Sequence, residues 1–177
     1  MILVVSGLPA AGKTTFACQL EHLGIERIDV GQVLASWLSH DLPRAEIGPA
    51  FVRKFGREKI SVALLKSIEE RRHAVTLDAV RLAVTCQALQ DFAGRDVRTV
   101  FIDAPEDLRR ARLARRYENA GQSAERLMEL QSMYDADILK VRALANAIVD
   151  NSRGVDDLKV AADSVWRGFV ARTTPKR

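Results

Sequence analysis

Residues Gly7 to Thr14 read GLPAAGKT: a glycine, four open positions, then glycine, lysine and threonine. This spacing suits the holding of a polyphosphate. The glycines let the backbone curl until its N–H groups face an anion, and the positive end of a following helix adds to their field. The Lys13 ammonium can bridge β- and γ-phosphates, and the Thr14 hydroxyl can ligate Mg²⁺. Gly7, Pro9, Ala10, Ala11, Gly12, Lys13, Thr14 and Thr15 are therefore the candidate nucleotide contacts. Glycine-rich turns also occur without ligands, so the setting of the pattern decides its meaning.

That setting is strand, turn and helix. Ile2-Leu3-Val4-Val5 is an aliphatic run suited to a buried parallel strand, and Phe16, Leu20 and Leu23 recur at helical spacing behind the loop. Strands are expected near 2–6, 26–30, 74–78, 98–103 and 146–150. Helices are expected over 13–22, 31–40, 46–71 with a break near Gly56, 80–92, 105–117, 123–143 and 155–170. The alternation predicts an α/β fold with a parallel sheet. Two apolar stripes read as core faces, one of Leu127, Leu130, Tyr134, Ile138 and Val141, the other of Leu158, Ala162, Val165, Trp166 and Phe169. Pro43, Gly48 and Pro49 read as a loop between two helices inserted after the second strand.

In such a sheet the carboxyl ends of the strands face the ligand crevice. Four strands end in aspartate: Asp29, Asp78, Asp103 and Asp150. A carboxylate there can support Mg²⁺ or accept a proton from a hydroxyl, and it can also simply cap the next helix. Asp103, followed by Ala-Pro-Glu, reads as a cap, whereas Asp29 and Asp78 read as functional. Asp78 is read as supporting Mg²⁺, together with Thr14, or the acceptor, and Asp29 as orienting the acceptor hydroxyl; both, with Lys13, are catalytic candidates, and either aspartate could be the base. Arg109, Arg112 and Arg116 share one helical face, where guanidinium groups could stabilise a transferring phosphoryl group. Arg112 and Arg116 are the catalytic candidates, against the alternative of a solvated face salt-bridged by Glu106, Asp107 and Glu118. Trp37 could stack on an acceptor or lie in the core, and His22, His40 and His73 lack metal-ligand spacing.

At 177 residues the chain suits one domain, 1–177, and its hydrophobic fraction of 47% is that of a globular protein. A net charge of +4 suits polyphosphate substrates and also permits nucleic acid, which is not favoured. The basic residues Arg172, Lys176 and Arg177 read as a solvated terminus. The first strand starts at residue 2, so no signal peptide is expected, and no apolar run approaches a membrane span. Cys18 and Cys86 read as reduced thiols of a cytoplasmic protein, either a monomer or a homodimer.

Several segments together resemble the P-loop nucleoside monophosphate kinases, and among them the dephospho-coenzyme A kinase-like proteins. Ile28-Asp29-Val30-Gly31 is similar to their acceptor-binding segment, and Asp29 looks like the catalytic aspartate of dephospho-coenzyme A kinases. Leu77-Asp78-Ala79-Val80-Arg81 is similar to the Asp-Gly-x-x-Arg or Asp-Gly-x-Arg segments of adenylate kinases and their relatives, which implies that Arg81 reads the anionic part of the acceptor. Phe101 to Pro105, followed by Arg112 to Arg116, resembles the strand leading into an arginine-bearing lid; Ala147 to Ser152 resembles the turn that sets Asn151 beside adenine.

The resemblance implies a three-layer P-loop NTPase fold with a five-stranded parallel sheet flanked by helices. It also implies an acceptor-binding insertion over about 31–71 and a lid over about 109–123. The implied activity is transfer of the γ-phosphoryl group of ATP, with Mg²⁺, to a small hydroxyl or phosphate acceptor. Gln32 and Ala35 stand where the family carries acceptor-binding Asp and Arg, and Ala79 stands in place of a glycine, which argues for an unusual acceptor. Gln32 and Trp37 join Asp29 and Arg81 as candidate acceptor contacts. Two other readings are a kinase acting on a modified base in a polynucleotide and a non-catalytic nucleotide switch. The absence of an Asn-Lys-x-Asp segment argues against the switch.

Overall fold

The structure, a computed structural model, describes residues 1–39, 42–91, 95–118 and 135–173. Ile2–Ser6 forms β1, buried along its whole length, and the loop after it leads into α1, Lys13–His22. There follow β2 (Glu26–Asp29), α2 (Val30–Ala35), α3 (Arg44–Phe55), α4 (Glu58–Ile68), β3 (Val75–Asp78) and α5 (Ala83–Gln90). The remaining elements are β4 (Val97–Asp103), α6 (Glu106–Glu118), α7 (Asp135–Leu144), β5 (Ala147–Asp150) and α8 (Val155–Thr173). No helix among the described residues is long and apolar enough to cross a membrane.

The five strands run in the order β2-β3-β1-β4-β5, and every pairing is parallel. Parallel sheets are covered on both faces, which is why β1 is continuously aliphatic rather than alternating. Ile2 and Val4 enter one core with residues of α2 to α5 and α7, including Leu34, Phe51, Leu64 and Val141. Leu3 and Val5 enter the other with Phe16 and Leu20 of α1 and Leu158, Ala162 and Phe169 of α8. The register places Asp29 opposite Asp78 and Asp103 opposite Asp150, so the four aspartates stand along one edge of the sheet.

Several element boundaries differ from the sequence expectation. α2 stops at Ala35 instead of reaching 40, and Ser36 turns its hydroxyl back to the Val33 carbonyl. The expected 46–71 helix is two helices, and Gly56 at φ 85 supplies the left-handed break between them. Gly48 and Pro49 lie inside α3 rather than in a loop; only Pro43 precedes it. α5 starts at Ala83 because the chain first turns at Ala79, φ 78, where the Ala79 and Val80 N–H groups both donate to the Val5 carbonyl, and is still extended at Leu82. Of the penultimate stripe, Ile138 and Val141 are buried, while Leu127, Leu130 and Tyr134 lie outside the described residues. His40, Lys176, Arg177 and the lid beyond residue 118 also lie outside them. Cys86 is buried, which pushes its thiol up to about 12, and Cys18 is half-buried; both are free thiols.

Candidate functional site

The loop after β1 is shaped by two close approaches. Gly7 has φ +144, and a Cβ there would stand 2.3 Å from the Ile102 carbonyl oxygen. Gly12 has φ +107, and a Cβ there would meet Asn151 Nδ2 at 2.4 Å. Only glycine satisfies both the conformation and the space. Gly12 precedes α1 without a side-chain cap, and the first turn holds no acid, so the helix end presents its N–H groups to an anion. Pro9 and Ala11 are buried in the loop wall, Ala10 adopts a positive φ of 58, and Thr14 is exposed at the rim beside half-buried Thr15.

Lys13 folds back over this loop and donates to the Gly7 and Leu8 carbonyls, each at 2.8 Å. Burial first, then the nearby Arg81, Arg116 and Arg109, lowers its pKa to about 7, with Asp78 opposing. An ammonium this poorly solvated gains strongly from an incoming phosphate.

Beside the loop, β3 delivers Asp78 and β2 delivers Asp29. Asp78 is fully buried; burial pushes its carboxyl above the usual range, while Thr14, Arg27 and Lys13 pull it back. Its Oδ2 accepts from Arg27 at 3.2 Å, and its Oδ1 is buried with no hydrogen bond of ordinary geometry. Asp29 does cap α2, accepting from the Gln32 N–H at 3.1 Å, and its other oxygen meets Arg44 at 2.7 Å and Arg27 at 3.9 Å. Arg27 and Arg44 lie outside the sequence expectations. Arg27 was signalled only by standing two residues before Asp29 on a strand, which puts both on one face. Arg44 carried no local signal, because α3 brings it back across the insertion.

A cleft opens from this edge between the α2–α3 insertion and residues 79–82. Its wall includes Val30, Leu34, Ile47 and Val80, with Arg44 and Arg81 as its charged groups. Trp37 is not part of that lining; its ring packs 6.0 Å from Phe51 and 6.1 Å from Phe55. Gln32 is exposed on α2 and reaches Asp29 through its backbone N–H.

On the far side of the loop, Arg112 of α6 donates to the Ala10 carbonyl at 3.4 Å and the Asn151 carbonyl at 3.2 Å. Leu113 is buried against Ala10 of the loop and Ala45 of α3, so α6 already spans the mouth of the site. Arg116 is exposed on the same helix, Arg109 donates to the Ala104 carbonyl, and Arg110 pairs with Glu106. Asn151 is buried behind the loop; its Nδ2 donates to the Ala11 carbonyl at 2.7 Å, and its Oδ1 has no partner. Asp103 does not cap α6, which starts at Glu106; it accepts from the Ala104 N–H and pairs with Arg142. Asp150 holds a tight turn through Ser152.

The arrangement suits a polyphosphate, since a cradle that any Cβ would fill faces an unopposed helix N-terminus and a desolvated lysine. It also suits a hard divalent cation held through Thr14 and the orphaned Asp78 Oδ1, with phosphate oxygens completing the shell. Among the described residues no group of three or more His, Cys, Asp or Glu could hold a metal alone.

Residues 2–136 match the AAA domain family. A UPF0200 protein of Pyrobaculum aerophilum is 30% identical over 116 residues, which are 65% of this chain and 66% of that protein; the match spans just under two thirds of that relative. Among solved structures, shikimate kinase from Bacteroides thetaiotaomicron superposes with a TM-score of 0.65 at 16% identity, covering 94% of this chain and 98% of that one. Shikimate kinase from Acinetobacter baumannii in complex with shikimate gives 0.62 at 18% identity, covering 98% and 95%. Identities this low speak to the fold alone: a five-stranded parallel sheet flanked by helices.

Proposed function

The chain belongs to the AAA domain family, and from that premise we propose that it is an ATP- and Mg²⁺-dependent kinase acting on a small hydroxyl or phosphate acceptor. One observation carries the reading. A phosphate-ready loop with its lysine stands on the same sheet edge as two buried, adjacent aspartates, and a cleft with two arginines opens beside them. A switch that only binds nucleotide has no use for that second compartment.

When bound, the nucleotide supplies an activated phosphoryl group and the cation neutralises its charge. The residues of the chain do the rest. Lys13 and the loop N–H groups hold the phosphates, with Thr14 and Asp78 supporting the cation. Asp29 would orient the acceptor hydroxyl and take its proton as the new oxygen–phosphorus bond forms and the γ-phosphoryl group parts from ADP, which leaves with the bridging oxygen. Arg44 is 60% exposed and can turn from Asp29 toward an anionic group of the acceptor, with Arg81 on the facing wall. Arg112 and Arg116 stabilise the charge that spreads over the transferring oxygens, while Leu113 helps keep water out. Asn151 braces the loop from behind, its Nδ2 donating to the Ala11 carbonyl.

The test is transfer from γ-labelled ATP to a panel of dephospho-coenzyme A, nucleosides, nucleoside monophosphates, shikimate and hydroxymethylated DNA. Label in a small molecule, lost in Lys13→Ala, is expected. Label only in DNA, or only in free phosphate, would overturn the reading.

A further inference from the structure

We infer that Arg27 is the positioning residue of this site: its guanidinium stands between Asp29 and Asp78 as a built-in counter-ion, so the pair takes up a divalent cation only together with a polyphosphate. This rests on the reading that both aspartates serve phosphoryl transfer. The geometry is specific. Asp29 and Asp78 are partners in register on neighbouring parallel strands, and both are buried. Two such carboxylates repel strongly in a poorly solvated place unless a cation stands by them. Arg27 Nη1 lies 3.2 Å from Asp78 Oδ2 and 3.9 Å from Asp29 Oδ2.

Two further cations at the site make contacts of their own. Lys13 is spent on the Gly7 and Leu8 carbonyls, and Arg44 reaches Asp29 from the α3 side. Arg27 is itself steadied from α1, where Glu21 meets its Nε at 3.4 Å and the Cys18 side chain lies close. With Arg27 in place, three of the four carboxylate oxygens are engaged, and the remaining one is Asp78 Oδ1. A single oxygen beside Thr14 suffices to steady a cation already carried by phosphates. It is too little to collect one from solution, because Mg²⁺ and Mn²⁺ need several oxygen ligands.

The consequence is unusual for a residue near a metal: removing it should tighten metal binding. Mn²⁺ binding to the nucleotide-free protein, read by electron paramagnetic resonance, tests this without acceptor or turnover. The wild type should bind Mn²⁺ weakly, and Arg27→Met about tenfold or more tightly, since a unit positive charge a few ångströms from a dication is gone. Arg27→Lys should return to weak binding, and adding Asp78→Asn to Arg27→Met should abolish the gain. Arg27→Gln serves as a second neutral variant should Arg27→Met not fold by circular dichroism. Unchanged Mn²⁺ affinity in a folded neutral variant, or a gain that survives Asp78→Asn, would overturn the inference. Failure of the kinase reading shows separately, as absence of label transfer, with these affinities unaffected.

Discussion

At the scale of single residues, Lys13 makes the sharpest statement. Its pKa in the folded chain, about 7, lies below the 10.5 of an ordinary lysine. Between those values the unfolded chain binds more protons, so this group makes stability rise with pH across that window; its burial cost is full below pH 7 and gone above about 10.5. Phosphate oxygens should restore the proton. Nucleotide binding at pH 8 to 9 should therefore take up about one proton, measured calorimetrically in buffers of different ionisation heat, and Lys13→Met should remove the uptake. Identical heats in all buffers would contradict this. The two aspartates should separate as well. Asp29→Asn should slow transfer by roughly 10²-fold with ATP binding little changed, whereas Asp78→Asn should weaken Mg²⁺-dependent ATP binding. The reverse pattern, with Asp78→Asn dead at normal ATP·Mg²⁺ affinity, would exchange their roles. Lys13, Asp29 and Asp78 were legible because each sits at a fixed distance from a strand end. Arg27 and Arg44 were not, since what matters about them is a contact across strands or across an insertion, which no local spacing records.

At the scale of elements, strands were read to within a residue or two because aliphatic runs bounded by turn residues leave few alternatives. Helix ends fared less well. α2 gives way to tighter turns, the Trp37 N–H donating to Leu34 and the Leu38 N–H to Ala35, and α5 is delayed by the Val80 N–H donating to Val5, none of which the sequence announces. The last of these belongs to a segment with its own prediction. Ala79 holds φ 78, the left-handed region that costs a Cβ-bearing residue about 1 kcal/mol or more. The family that the sequence resembles carries a glycine at this place, and Ala79 holds a backbone conformation that a glycine adopts freely. Ala79→Gly should accordingly raise the melting temperature by about 2–4 °C, less any loss from the greater freedom of the unfolded chain. A lowered melting temperature would mean that the Ala79 methyl, which lines the cleft, contributes more by packing than it costs in strain.

At the scale of the whole molecule, the sheet edge gathers three bodies: the loop, the α2–α3 insertion and α6. Leu113 touches the first two at once, through Ala10 and Ala45, so α6 cannot swing without breaking contact with both. Hydrogen exchange over Arg109–Glu118 should slow when an ATP–acceptor bisubstrate analogue binds, because phosphates relieve the mutual repulsion of the arginines on that face. Exchange unchanged by the analogue would argue that α6 is a fixed wall. The sequence pointed to this helix through its arginines but not to Leu113, whose partners lie roughly seventy and one hundred residues away in the chain.

The carbonyls of the loop are already occupied: Gly7 and Leu8 by Lys13, Ala10 by Arg112, Ala11 by Asn151. Such a loop has given up its conformational entropy during folding rather than at capture. A flexible loop of this length would forfeit on the order of 1 kcal/mol for each residue it ordered, and here little of that remains to be lost. The groups that hold the loop come from two elements that also hold each other, α6 and the turn after β5, joined where Arg112 donates to the Asn151 carbonyl. Thermal agitation in α6 thus reaches the loop and the turn behind it together, and the grip on a phosphate is only as steady as that shared bracket.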